Sequence, residues 1–222
     1  MGELNIHDVL GNQYRASIEM LLQAIGRCPA SLWLTPGYPN KFWHIAYHAL
    51  FYTDLYLQAS EAEFHPWAQH RPNYQFLGSA PWPPFDRPKI EVPYSKAEIL
   101  AYHEVCRGEI DDRVRALNLA SPSGFPWLPF SRLELHVYNL RHLQHHAGQL
   151  IDRLTRFSHQ LLGADFEDTE NLDGGLTGML RESKKGLWTI THDHGAVFGS
   201  PSVENKALAD AIRHTSACAY LF

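Results

Sequence analysis

The sequence predicts an all-α fold, a four-helix bundle, and three observations carry that reading. Apolar side chains recur at three- and four-residue spacing in four long stretches, the period of a helix face packed against other helices. Two of these stretches open with a capping box, Ser95 with Glu98 and Ser131 with Glu134. In that motif a serine caps the first turn and a glutamate three residues on bonds back to the serine N–H. Two extended, proline-containing connections separate the later stretches, as helix breakers require.

The first helix is expected from Ile6 to Arg27, with Tyr14, Ile18, Leu21 and Ile25 inward and Pro29 as the stop. The segment Ala30 to Pro39 contains Pro36, Gly37 and Pro39 and reads as a connection whose Leu32 and Trp33 pack onto the bundle. A second helix spans roughly Lys41 to Ser60. Ile45, Ala49, Tyr52 and Tyr56 form one stripe, and Ala46, Leu50 and Leu57 widen it, so this helix is largely buried. His48 lies one position from the centre of that stripe and His44 a turn earlier, nearer its edge.

Glu61 to Pro93 holds seven prolines together with Trp67, Tyr74, Phe76, Trp82 and Phe85. A connection this aromatic has apolar surface to bury, so it reads as an ordered excursion over one end of the bundle. The third helix opens at Ser95, with Ile99, Tyr102, Cys106, Ile110 and Val114 inward. After a link from Ala120 to Phe130, the fourth helix runs from Ser131 to His159. Its apolar stripe is read as Leu133, Val137, Leu140, Ala147, Ile151 and Leu154, with Leu135, Asn139 and Leu150 on the flank. The bundle thus occupies residues 1–162, and residues 163–222 form a C-terminal extension. In that extension a short helix is expected within Leu172 to Lys185 and a last helix from Ser200-Pro201 to about Cys218.

Composition excludes several classes of function. The net charge of −5, without basic clusters, argues against nucleic acid as a partner. No apolar run approaches the ~18 residues of a membrane span, and the opening MGELNIHDVL has no signal-peptide pattern. Three scattered cysteines suit reduced thiols, and a cytoplasmic location is the expectation. There is no Glu-x-x-His for a carboxylate-bridged di-iron site, and no Gly-x-Ser-x-Gly, P-loop or Cys-x-x-Cys.

What stands out is 14 histidines. His142 and His146 lie one turn apart on nearly the same side of the fourth helix, a spacing at which two imidazoles can hold one metal ion. His145 points away from them. His48 of the second helix is the candidate third ligand, with His44 as the alternative. Three neutral imidazoles leave a coordination position open, and such ligands favour zinc or nickel over magnesium or calcium. Tyr102 and Asn139 are candidates to support the ligands. Cys106 reads as a buried thiol, and His136, His103, His159 and His214 as ordinary surface or core residues.

FWHIAYHALFYTDLYL followed by LRHLQHHAGQL resembles the DinB-like (DinB/YfiT-like) superfamily of bacterial metal-dependent proteins. The resemblance covers about Ile6 to Leu162 and includes the Cys28-Pro29…Leu32-Trp33 connection. It implies a bundle of the DinB type, a single divalent metal held at the positions of His48, His142 and His146, and a homodimer. Related families include transferases of low-molecular-weight thiols and a thiol-dependent isomerase. The excursion is long for the family, and the extension resembles nothing in it. Three functions follow as expectations: a metal-dependent hydrolase or thiol transferase acting on a small molecule, a metal-binding stress or accessory protein without turnover, and a helical interaction module.

Overall fold

The structure, a computed structural model, describes residues 5–81, 83–162, 179–182 and 188–191. The chain divides into two compact units after Ala147. The first contains α1 (Ile6–Arg27), the single turn α2 (Ala30–Trp33), α3 (Phe42–Tyr56), α4 (Lys96–Ala116) and the N-terminal half of α5 (Arg132–Leu162).

Local chemistry accounts for the helix starts. Asn5 caps α1 through its side-chain oxygen, which accepts the His7 N–H at 3.1 Å. The capping box of α4 is complete: Ser95 Oγ accepts the Glu98 N–H at 3.2 Å, and the Ser95 N–H donates to the Glu98 carboxylate at 2.7 Å. At α5, Ser131 Oγ accepts the Glu134 N–H. Tyr14, Ile18, Leu21 and Ile25 of α1 are buried, as are Ile99, Tyr102, Cys106, Ile110 and Val114 of α4. α3 buries residues around nearly its whole circumference, from Phe42 to Tyr56. The connection after α1 differs from expectation only in that Ala30–Trp33 closes one helical turn, which carries Leu32 and Trp33 into the core.

Contacts between the helices give their directions. Lys96 meets the Gly26 carbonyl, His103 the Ile18 carbonyl, and Arg15 pairs with Asp111, so α1 and α4 run antiparallel. Tyr14 meets His136 while Ser17 meets Gln144, so α1 and α5 run the same way. His48 lies against His146, Tyr52 against His142 and Tyr56 against Tyr138, which makes α3 and α5 antiparallel. α3 and α4 therefore point the same way. Their connection must travel back along a helix of ~1.5 Å per residue before it can turn, which gives the long excursion a geometric reason.

That excursion is ordered by its aromatic rings. Tyr74, Phe76 and Tyr94 are buried, and Trp67 stacks on Tyr102 at 4.7 Å with a 9° interplanar angle. Arg71 lies over the Tyr94 ring at 4.1 Å, donates to the Val92 carbonyl at 2.6 Å and pairs with Glu98 at 3.2 Å.

In the second unit, β1 (Met179–Glu182) pairs antiparallel with β2 (Trp188–Thr191), Met179 opposite Thr191 and Glu182 opposite Trp188. Within residues 172–185, where a short helix is expected, Met179–Glu182 is a strand, and the other residues of that range lie outside the described ones. The partner strand Trp-Thr-Ile-Thr is made of strand-forming residues. The last helix expected from Ser200 lies outside the described residues.

Candidate metal centre

The antiparallel contact of α3 with α5 brings His48, His142 and His146 together. His142 Nε2 is 2.9 Å from His48 Nε2 and 3.1 Å from His146 Nε2. These separations are close to the ~3.3 Å between two nitrogens of a tetrahedral centre with bonds of ~2.05 Å. The three ligand atoms all lie within 4.8 Å of one another, and the group contains no carboxylate.

The tautomer of His48 follows from its surroundings. Its Nδ1 is 2.6 Å from the Gln75 carbonyl, which can only accept, so the proton sits on Nδ1 and the Nε2 lone pair faces His142. An imidazole held through its other nitrogen by a carbonyl is the arrangement that orients metal-ligating histidines. Asn73 sets this up: at φ 67° it turns the chain in a conformation asparagine tolerates, and the Phe76 N–H closes the turn on its carbonyl at 3.2 Å. The carbonyls of Tyr74 and Gln75 then face His44 and His48.

Burial keeps the His48 and His142 rings neutral. It is the largest cause that pushes His48 well below the ordinary histidine range, reinforced by His146 and then His142. His142 is pushed down to about 3 by burial, then by His146 and His145. A neutral imidazole has one N–H, so three Nε2 atoms at these separations cannot all be satisfied by one another. A divalent cation accepts all three lone pairs, and the donor set therefore fits such an ion. His142 Nδ1 is buried without a hydrogen-bond partner among the described residues. The Tyr52 ring lies edge-on to both His48, at 4.8 Å, and His142, at 5.5 Å.

Other histidines are placed elsewhere. His44 donates Nε2–H to the Tyr74 carbonyl at 2.8 Å and stacks on Trp43, outside the cluster. His145 is exposed. His103 is buried and bonded to the Ile18 carbonyl at 3.0 Å. His136 accepts the Tyr14 hydroxyl at 2.9 Å, and Asn139 donates to the same oxygen at 3.0 Å. Asn139 therefore bonds Tyr14, not a cluster histidine, and Tyr102 donates to Asp54 at 2.9 Å. The Cys106 thiol is buried and held well above its ordinary pKa by that burial, which makes it a poor nucleophile.

The expected stripe of α5 needs correction in its first half. Leu133 and Val137 are 38% and 47% exposed, while Leu135, His136, Asn139, Leu143 and His146 are buried. The face read as a flank is the inward one. Its polar side chains hide it from an apolar pattern, because they are bonded to Tyr14 or gathered in the cluster. The Gln75 carbonyl was equally hidden, since a backbone atom leaves no residue signature.

Antiparallel helices that converge three imidazoles define an all-α first unit with a cluster compatible with metal binding. Residues 13–150 match the family model described as the DinB superfamily, and the chain belongs to that superfamily. No curated protein and no solved structure matches the chain. Among the described residues no helix is long and apolar enough to cross a membrane.

Proposed function

We propose that the chain binds one divalent ion, zinc or nickel, through Nε2 of His48, His142 and His146, and acts as a metal-dependent enzyme on a small molecule. The observation that supports this reading is the convergence of the three Nε2 atoms, with His48 oriented by the Gln75 carbonyl. When bound, such an ion supplies Lewis acidity with a coordination position left open. The chain's own part is to hold the His48 and His142 rings neutral, to fix the His48 tautomer and to shield one side of the cluster with Tyr52. Two reactions suit this arrangement: hydrolysis of a small substrate, and transfer of a low-molecular-weight thiol to an electrophile. The proposal includes a cytoplasmic homodimer.

Metal content and turnover test it. Untagged protein incubated with zinc or nickel and desalted should retain about one ion per chain, and His142→Ala should retain none. The same protein should turn over members of a panel of esters, amides and thiol–electrophile pairs, and His142→Ala should not. Uptake without turnover would leave a metal-binding accessory protein, and no uptake would end the reading.

A further inference from the structure

Around His142 lies an aromatic surface for which the metal reading has no use. The Tyr138 ring, in a residue 39% exposed, lies nearly parallel to the His142 imidazole, with centroids 6.4 Å apart and planes 10° apart. Tyr138 also meets Phe130 and Tyr56, each at 6.1 Å. Tyr56 meets Phe125 at 5.2 Å, and Phe125 meets Trp127, 49% exposed, at 5.5 Å. Phe125 and Phe130, with Leu128 and three prolines, line an open groove of about 720 Å³ on the segment before α5. One continuous run of rings therefore joins a solvent-facing groove to a candidate metal ligand.

This surface is anchored in place. Arg132 donates to the Gln58 carbonyl at 2.8 Å and to the Ala59 carbonyl, and Gly124 is packed against Ala59. Tyr138, exposed, and Phe130, half-buried, present ring surface beside the cluster, backed by the buried Tyr56 and Phe125, and such apolar rings commonly line small-molecule sites. The charge of the cluster adds a second constraint. Three neutral imidazoles and no carboxylate leave a divalent ion with its full charge, which favours an anionic head on whatever binds there.

We infer that the site takes a small anionic molecule with two parts: a flat aromatic body that lies on Tyr138 and Phe130, and a short donor head, such as a thiolate or hydroxamate, that faces the three Nε2 atoms. The inference rests on the metal reading and names the class of substrate for that same site. Tyr138 acts as a specificity residue through its ring, not its hydroxyl.

Cobalt-loaded protein provides the test, because its visible absorption reports occupancy of the site without any turnover. Benzohydroxamate and acetohydroxamate share one donor head and differ in the body. Wild type should bind benzohydroxamate roughly tenfold more tightly or better. Tyr138→Phe should keep that preference, while Tyr138→Ala should bring the two probes to near-equal affinity with cobalt affinity unchanged. Equal affinity of the two probes for wild type would overturn the inference while the cobalt spectrum upheld the metal. A preference that survives both Tyr138→Ala and Phe130→Ala would overturn the assignment to this surface. No cobalt spectrum at all would defeat the metal reading, and the inference with it.

Discussion

His48 and His44 sit one turn apart on α3, and their ring contacts and hydrogen bonds tell them apart: His44 stacks on Trp43, while His48 lies against His142 and His146. Each donates one ring N–H to a carbonyl of the excursion, His44 to Tyr74 and His48 to Gln75. His44 does so through Nε2 and His48 through Nδ1, so only His48 aims an Nε2 lone pair at α5. His48→Ala should therefore abolish zinc binding in a calorimetric titration, whereas His44→Ala should keep zinc affinity within about threefold and lower stability by about 1 kcal/mol through its lost hydrogen bond. If His44→Ala loses zinc as fully as His48→Ala does, the ligand assignment on α3 fails. Helical spacing was enough to pair His142 with His146 and to point to His48. It carried no trace of the Gln75 carbonyl that separates His48 from His44.

Single positions decide how whole elements meet. Gly124 has φ +85°, and a Cβ there would overlap the Ala59 carbonyl and come within 2.7 Å of Arg132 Nη2. This is the close approach that lets the segment before α5 press Phe125 onto Tyr56. Gly124→Ala should cost about 2–4 kcal/mol, from the left-handed backbone and the overlap together, read as a lower midpoint in urea. An unchanged midpoint would mean that the segment adjusts freely. Ser95→Ala removes a cap whose two hydrogen bonds are both formed, and should cost about 1 kcal/mol in the same assay. Caps and the three mostly apolar inward stripes were legible because they are local. The inward face of α5 was misread because Arg132, His136, Asn139 and His146 are buried polar groups, and polarity alone assigns such residues to solvent.

Across the molecule, burial of imidazole couples stability to pH. His136, inside the bundle, is pushed down to about 3 by burial and by Arg132, and burial also lowers His44, His48, His70 and His142. An unfolded histidine takes up a proton near pH 6.5, while these folded ones resist it. The unfolded state thus binds more protons below about 6.5, and the stability present above that pH is lost as pH falls toward the folded pKa values. Each such histidine contributes a slope of at most ~1.4 kcal/mol per pH unit. Chelator-treated protein should lose urea resistance steeply between pH 7 and pH 5, and His136→Gln should flatten that slope by about one histidine's share. Equal stability at pH 7 and pH 5 would show that these rings are hydrated.

By itself the sequence determined the helical class, the starts of three of the four long helices through their caps or breakers, and the residue types able to hold a metal, because each depends on neighbours within a turn or two. Tertiary structure alone decided which side of α5 faces inward, which nitrogen of His48 is free, and which rings lie beside His142. Those outcomes depend on groups tens of residues away, and on backbone carbonyls that every residue carries alike.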